Sequence, residues 1–172
     1  MTFNVLNTII LLGSLQGFIF SFLLFSKTKK GTAEKLLATM LLFMALASLN
    51  IYLSESVRYW QVGVFLSLVP TILIMPLGPL IYFYLRFMME PSLVWKGKYW
   101  IHFLSVSVDL LPIVGAWILG IGFWFKSFDQ DYLLSWGNTI DQYNTYTDIP
   151  RWVSITVYLL LVKRYYKKLR AN

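Results

Sequence analysis

Long apolar runs without a charged residue constrain this chain more than any motif does. Residues 36–53 and 60–85 contain no Asp, Glu, Lys or Arg. A bilayer core about 30 Å thick is crossed by roughly 20 helical residues at 1.5 Å each. Backbone groups in lipid must be satisfied internally, so these runs are expected to be helical, and they lack the short alternating segments of barrel strands. The sequence therefore predicts an all-α integral membrane protein.

Five such stretches predict a bundle of five transmembrane helices that forms one membrane domain over residues 1–172. The fifth is short, because only residues 152–162 are free of charge between Arg151 and Lys163. It reaches a spanning length if both cationic side chains extend to the interfaces, and a short, tilted interfacial helix is the alternative. The predicted spans cover about 5–25, 36–53, 62–88, 99–125 and 150–168, with residues 126–151 as an outer loop.

Positive charges fall in alternate loops, and this sets the orientation. Of the 15 Lys and Arg residues, all but Arg58, Lys126 and Arg151 lie between the first two spans, around the end of the third span, or in the C-terminal tail. Short loops rich in Lys and Arg remain in the cytoplasm. The N-terminus is therefore predicted outside and the C-terminus inside, in a multi-pass protein of the inner (cytoplasmic) membrane. The cations that give the net charge of +7 flank the apolar spans and are not gathered on one solvated face, as a nucleic-acid site would need. No direct nucleic-acid binding is therefore predicted.

Residue usage argues against catalysis. The chain has one His and no Cys, so most hydrolase and metal constellations cannot be assembled. HExxH, GxSxG, GxGxxG and P-loop motifs are absent, and the acids of the outer loop lack calcium-loop spacing. The sequence predicts that the chain is not an enzyme, and it predicts no cofactor and no metal site.

Asp109 is the one ionisable residue well inside an apolar run. A charge at the bilayer centre costs about 2.5–3.5 kcal/mol, so such residues usually face a bundle interior or a watery cavity. His102 precedes it by seven residues, which places both on one face of a predicted helix. The pair could form a proton relay or a polar ligand pocket. Alternatively, Asp109 is protonated or hydrogen-bonded to a neighbouring helix, with His102 solvated at the inner interface.

The third span contains a predicted helix break at Pro76, Gly78 and Pro79. Proline removes an amide donor and clashes with the preceding turn. The break could expose carbonyls that coordinate ions, as in transporters, or it could be an ordinary kink sealed by neighbouring helices. In the outer loop, acids mixed with aromatic residues could recognise a cationic or sugar-like ligand, or simply cap two helices. The candidate ligand or coupling residues are Asp109, His102, Tyr82, Tyr84 and Trp136.

Short segments also occur in a particular order along the chain: LGSLQG at 12–17, EKLLA at 34–38, GPLIYFYLR at 78–86, HFL at 102–104 and KRYYKKL at 163–169. In order and spacing they resemble the N-terminal multi-helix membrane region of AraC-family transcriptional regulators of Bacteroidetes-type bacteria. The resemblance covers nearly the whole chain. It implies a membrane part followed by further spans and a cytoplasmic domain with two helix-turn-helix units, which this sequence does not contain.

Together, topology and resemblance imply a membrane-embedded sensory or input module of a one-component transcriptional regulator. Its implied partners are the lipid bilayer, a C-terminal DNA-binding domain outside this sequence, or a second copy in a homodimer. The alternative is a small transporter or transporter subunit that uses the proline-broken third span and Asp109. A third possibility is a membrane anchor, since the cations of the C-terminal tail would each attract anionic lipid by about 1 kcal/mol.

Overall fold

The computed structural model describes residues 5–27, 31–56, 68–125 and 130–171. These residues form helices and turns without any strand, which confirms the predicted all-α class. Residues 62–67 of the predicted third span, residues 126–129 of the predicted outer loop, and Arg58 and Lys126 lie outside the described residues. The helices are α1 (Val5–Ser26), α2 (Thr32–Ser56), α3 (Leu77–Met89), a 3₁₀ helix (Gly97–Phe103), α4 (Val106–Trp124) and α5 (Gln130–Ala171).

Two helices in the described part of the chain, α1 and α2, are long and apolar enough to cross a membrane. The 3₁₀ helix and α4 reach that length only as a pair, because the chain bends by 62° between them. Helix α3 is apolar but has only 13 residues, which extend about 20 Å. The described residues thus contain two candidate membrane spans, or three if the bent pair is one span.

Helices α1 and α2 pack as an antiparallel pair through small residues. Ser14 Oγ donates a hydrogen bond to the Ala45 carbonyl at 3.0 Å, and Ser21 Oγ donates to the Ala38 carbonyl at 2.8 Å. A Cβ atom at Gly17 would lie 2.9 Å from the Ala45 Cβ, so the close approach requires glycine at this position. Small residues let helix backbones approach closely in membranes, where packing and interhelical hydrogen bonds drive association. These contacts make the first two helices one structural unit.

The third apolar stretch is not one continuous helix where the structure describes it. Residues 69–76 are non-helical, and α3 begins at Leu77 with Pro76 as its N-cap. Pro79 lies in the first turn of α3, where backbone amides have no intrahelical acceptor, so it removes no helical hydrogen bond. The break therefore precedes α3 and leaves the helix itself regular.

The fourth and fifth stretches also differ from the prediction. His102 lies in the 3₁₀ helix and Asp109 in α4, so the inference that they share one continuous helix is wrong. Residues 130–151, predicted as a loop, are helical, because α5 is a single helix of 42 residues that continues through Pro150. The loop was expected from polarity, which signals solvent contact and does not exclude a helix that extends beyond the apolar region.

The buried core lies where α2, α3 and the 3₁₀ helix meet. Its buried members are Leu36, Leu80, Phe83, Phe87 and Tyr99. Phe83 is fully buried, and its ring contacts the rings of several aromatic neighbours at centroid distances of 5.0–6.1 Å. Aromatic pairs at such distances contribute about 0.5–1.5 kcal/mol beyond their burial. This core holds α3 in position, and α3 in turn positions the polar contacts described next.

Candidate functional site

The buried carboxylate of Asp109 joins three separate segments. Asp109 lies in the first turn of α4 and is only 3% exposed. Its Oδ2 accepts hydrogen bonds from the backbone N–H groups of Ile74 and Met75, both at 2.7 Å. Its Oδ1 accepts a hydrogen bond from Arg151 Nε of α5 at 2.9 Å. The non-helical segment before α3, the start of α4 and the middle of α5 therefore meet at one side chain.

The contact of Asp109 with Ile74 and Met75 compensates the proline break. These residues precede the N-cap of α3, so their amides have no acceptor within a helix. An unsatisfied backbone group in an apolar environment costs several kcal/mol. The Asp109 carboxylate supplies the acceptor for both amides, and a negative charge near a helix N-terminus is also favoured by the helix dipole. The backbone amides at the break are therefore hydrogen-bonded by a side chain of a neighbouring helix.

Arg151 supplies the counter-charge to Asp109. The Asp109 side chain is 0% exposed and the Arg151 side chain 11% exposed. Arg151 Nη1 also donates to Asp148 Oδ1 at 3.0 Å, one turn earlier on α5, where the Asp148 side chain is 64% exposed. The structure holds the Arg151 side chain in this buried pair, a role that the sequence prediction did not give it. A carboxylate withdrawn from solvent requires a paired, hydrogen-bonded cation, and this requirement outweighs the tendency of arginine to reach water.

A second hydrogen bond joins α5 to the start of α4. Tyr143 Oη donates to the Val108 carbonyl at 3.0 Å, directly beside Asp109. Tyr143 lies eight residues before Arg151, about 12 Å along the helix axis. Thr147, between them on α5, is buried and donates to the Asn144 carbonyl of its own helix. The part of α5 that was predicted as a loop is therefore in contact with the bundle.

His102 and Tyr82 meet at a second point on α5. His102 Nδ1 lies 3.0 Å from Tyr158 Oη, a hydrogen bond whose direction depends on the histidine tautomer. The Tyr82 ring lies 6.5 Å from the His102 ring and 6.1 Å from the Tyr158 ring. A Cβ atom at Gly78 would lie 2.8 Å from Tyr158 Cδ2. The predicted residues Tyr82, His102 and Gly78 thus converge on one tyrosine, Tyr158.

A third contact with α5 lies at the other end of α3. The Arg86 guanidinium lies over the rings of Tyr99 and Tyr165, at 5.6 and 5.3 Å from their centroids. Tyr165 Oη donates a hydrogen bond to the Glu90 carboxylate. Tyr165 follows Arg151 by 14 residues, about 21 Å along α5. Helix α5 is therefore held against its neighbouring segments at both Arg151 and Tyr165.

The remaining predicted residues lie away from Asp109. Tyr84 is half-buried and packs against the core cluster, and Trp136 is exposed on α5, 15 residues or about 22 Å before Arg151. The sequence interpretation missed Arg151 and Tyr158. The sequence does contain a signal for Arg151. An acid inside an apolar run needs a cation as its partner, and Arg151 is a cation at the edge of the last apolar run. Nothing in the local pattern marks Tyr158.

The hydrogen bonds and the ion pair of Asp109 connect α4 with α5 and with the segment before α3. Both oxygens of Asp109 accept hydrogen bonds from the protein, and the described residues contain no group of three or more His, Cys, Asp or Glu side chains placed to hold a metal ion. Comparisons with protein-family models, with curated proteins and with solved structures found no match. The contacts of Asp109 and Arg151 are therefore the observations from which a function is argued.

Proposed function

We propose that this chain is a membrane-embedded sensory or input module whose output is carried by α5. The observation that supports the proposal is that α5 runs as one helix from Gln130 to Ala171 while its Arg151 forms a buried ion pair with Asp109. Forty-two residues extend about 63 Å, more than the 40–45 Å of a bilayer with its headgroups. Such a helix joins a polar, aromatic half to a basic end as a single element.

The proposal includes five membrane-crossing segments in an inner membrane, with the N-terminus outside and the C-terminus in the cytoplasm. Packing directions support it. Asn50, late in α2, donates to Thr71 Oγ1 at 2.6 Å, whereas Leu36, early in α2, shares the core cluster with Phe87, late in α3. Helix α2 and the stretch 71–87 therefore run antiparallel, as α1 and α2 do. Successive membrane crossings require this alternation.

The last two segments alternate in the same way. Asp109 pairs with Arg151, and His102, seven residues earlier, pairs with Tyr158, seven residues later. The stretch from the 3₁₀ helix into α4 is therefore antiparallel to α5. Tyr165 lies against Arg86, so the basic tail and the basic end of α3 share one end of the fold, which supports the proposed cytoplasmic C-terminus.

In the proposed mechanism, a signal acts on the half of α5 before Arg151 and changes the position of Arg151 relative to Asp109. A ligand shifts such an equilibrium only by its different affinities for the two states. If Arg151 and Asp109 separated without finding new partners, each would become an unpaired buried charge. Removing one partner of a buried ion pair costs about 3–5 kcal/mol, which gives the scale of this penalty. The module would therefore populate discrete arrangements of α5, and the basic end would move with the helix.

The proposed output partner follows from the resemblance to AraC-type membrane regions. In that arrangement the movement of the basic end of α5 would reach a cytoplasmic DNA-binding domain through the further spans that the resemblance implies, as in a one-component transcriptional regulator. The chain itself has no proposed contact with nucleic acid. A homodimer would bring two such ends together, and this is a natural way to change the spacing of paired DNA-binding domains.

A reporter fusion tests the proposal. A DNA-binding domain that is active only as a dimer is fused after Asn172, and reporter expression is measured in cells with matched protein levels. We expect D109N and R151K to change the output several-fold, because both alter the buried pair. The matched control is D148N, which removes an exposed partner of Arg151 and should leave the output within about twofold. Output that is identical for wild type, D109N and R151K would contradict the proposal.

A small transporter or transporter subunit is the second candidate. The observation in its favour is the non-helical segment 69–76 beside a buried carboxylate, since irregular backbone at membrane depth often lines a cavity in transporters. It predicts proton or ion flux in liposomes that contain the purified chain, with loss of flux in D109N. Flux in the wild type together with an unresponsive reporter would favour the transporter over the input module.

A further inference from the structure

The C-terminal part of α5 has two opposite faces. Tyr158 and Tyr165, seven residues apart, lie on the face that packs against the bundle. Lys163, Lys167 and Arg170 recur at intervals of four and three residues, so they share one face of the helix. At 3.6 residues per turn, Lys163 lies about 160° around the helix from Tyr165. The three cations therefore point away from the bundle.

These cations form one open site. Lys163, Tyr166, Lys167 and Arg170 line a cleft of about 500 Å³, which we call the basic cleft. All four residues are exposed. The sequence from 149 to 172 contains no Asp or Glu, so no carboxylate in this stretch is available to neutralise the cleft. A concentrated positive charge of this kind attracts anions.

The same face of α5 is apolar immediately before the basic cleft. Trp152, Leu159 and Leu160 are exposed and lie on the side turned away from the bundle. The face changes from apolar to cationic within one turn, between Leu160 and Lys163. A phospholipid likewise passes from apolar acyl chains to a charged headgroup within a short distance. Clusters of four to eight Lys and Arg residues beside a membrane helix attract anionic lipid.

We propose that the basic cleft binds the headgroup phosphate of an anionic phospholipid whose acyl chains lie along Leu159 and Leu160. The other two cations of the tail, Arg164 and Lys168, do not line the basic cleft. The proposal commits to membrane lipid as the source of the phosphate, because the cleft continues into an exposed apolar face. It goes beyond the sensory role and does not depend on it.

Lipid binding to the purified full chain tests the proposal. Native mass spectrometry in detergent measures the dissociation constants of phosphatidylglycerol and phosphatidylcholine for the wild type and two charge-matched double variants. K163Q/K167Q removes two cations from the basic cleft, and R164Q/K168Q removes two from outside it. We expect K163Q/K167Q to weaken phosphatidylglycerol binding about 25-fold, about fivefold for each cation, while R164Q/K168Q changes it by less than about threefold.

Several outcomes would overturn the proposal. Equal weakening in the two double variants would indicate diffuse attraction to the whole tail. Equal wild-type affinity for phosphatidylglycerol and phosphatidylcholine, or displacement of phosphatidylglycerol by inorganic phosphate alone, would exclude a phospholipid site. A dimer that forms through the cleft in competition with lipid would assign the face to a second copy. Circular dichroism checks that each variant keeps its helix content, and K167Q/R170Q is a second cleft variant with the same expected loss.

Discussion

Arg151 Nε lies 2.9 Å from Asp109 Oδ1, although the two residues are 42 positions apart on different helices. Both side chains are almost completely withdrawn from solvent. A buried ion pair contributes little net stability compared with an apolar pair of the same shape, but removing one partner leaves an unpaired buried charge. We therefore infer that the pair mainly specifies how α4, α5 and the segment before α3 are arranged.

We expect D109N to destabilise the protein by about 3–5 kcal/mol, because it removes the buried counter-charge of Arg151 and leaves the guanidinium with only the exposed carboxylate of Asp148. The double variant D109L/R151M should be less destabilised than the two single changes together, since it removes both charges. Thermal unfolding in detergent, followed by circular dichroism, measures both effects. D148N is the matched control and should cost no more than about 1 kcal/mol, because Asp148 is exposed. Equal losses in D109N and D148N would contradict a structural role for the buried pair.

Gly78 is expected to tolerate no side chain. Its absent Cβ would lie 2.8 Å from Tyr158 Cδ2 and 3.4 Å from the Ser154 carbonyl oxygen, so G78A should separate α3 from α5. Overpacking of this kind costs about 1–3 kcal/mol. Gly115 on α4 offers a matched control, because nothing lies within 4 Å of its Cβ position. G115A should therefore not lower the melting temperature, and a similar loss in both variants would remove the argument for close packing at Gly78.

The positions of the first two helices could be predicted from the sequence, because an apolar run of that length has few alternatives in a membrane protein. Predicted residues 5–25 and 36–53 correspond to Val5–Ser26 and Thr32–Ser56. Asp109 also stands out in the sequence, since an acid inside an apolar run must find partners. The local sequence pattern therefore predicts long apolar helices and single charged residues that contrast with their apolar surroundings.

The rest of the site depends on tertiary contacts that local pattern does not contain. An arginine at the edge of an apolar run is compatible both with reaching water and with pairing in the interior, and only the position of Asp109 decides between them for Arg151. The first half of α5 is polar enough for a loop, yet Tyr143 bonds to the Val108 carbonyl of another helix. Such long-range contacts override the local preference for a turn.

Tyr165 is expected to stabilise the junction between α3 and α5 through its hydroxyl group. Y165F keeps the ring over the Arg86 guanidinium and removes the hydrogen bond to the Glu90 carboxylate. Hydrogen bonds to charged groups contribute about 1.5–3 kcal/mol, and partial exposure should place the loss near the lower value. Y166F changes the exposed neighbouring tyrosine and should leave thermal unfolding unchanged. A Y165F variant as stable as Y166F would show that the ring alone makes the contact.

Whether α5 crosses the membrane can be measured directly, because the chain has no cysteine and each introduced thiol is unique. Tyr146, Leu160 and Arg170 are exposed positions spread along α5. If α5 crosses the membrane, a membrane-impermeant maleimide should label Y146C in intact spheroplasts and R170C only after permeabilisation. L160C should remain unlabelled in both cases because lipid covers it.

The alternative for α5 is a helix that lies along one interface. In that case Y146C and R170C would react from the same side, and L160C would react partially, since half of an interfacial helix faces water. A cysteine at Ile9, which is exposed within α1, serves as the lipid-covered control for a helix of spanning length. Labelling of L160C above that of I9C would therefore exclude the fifth crossing and, with it, the route by which α5 would carry a signal through the membrane.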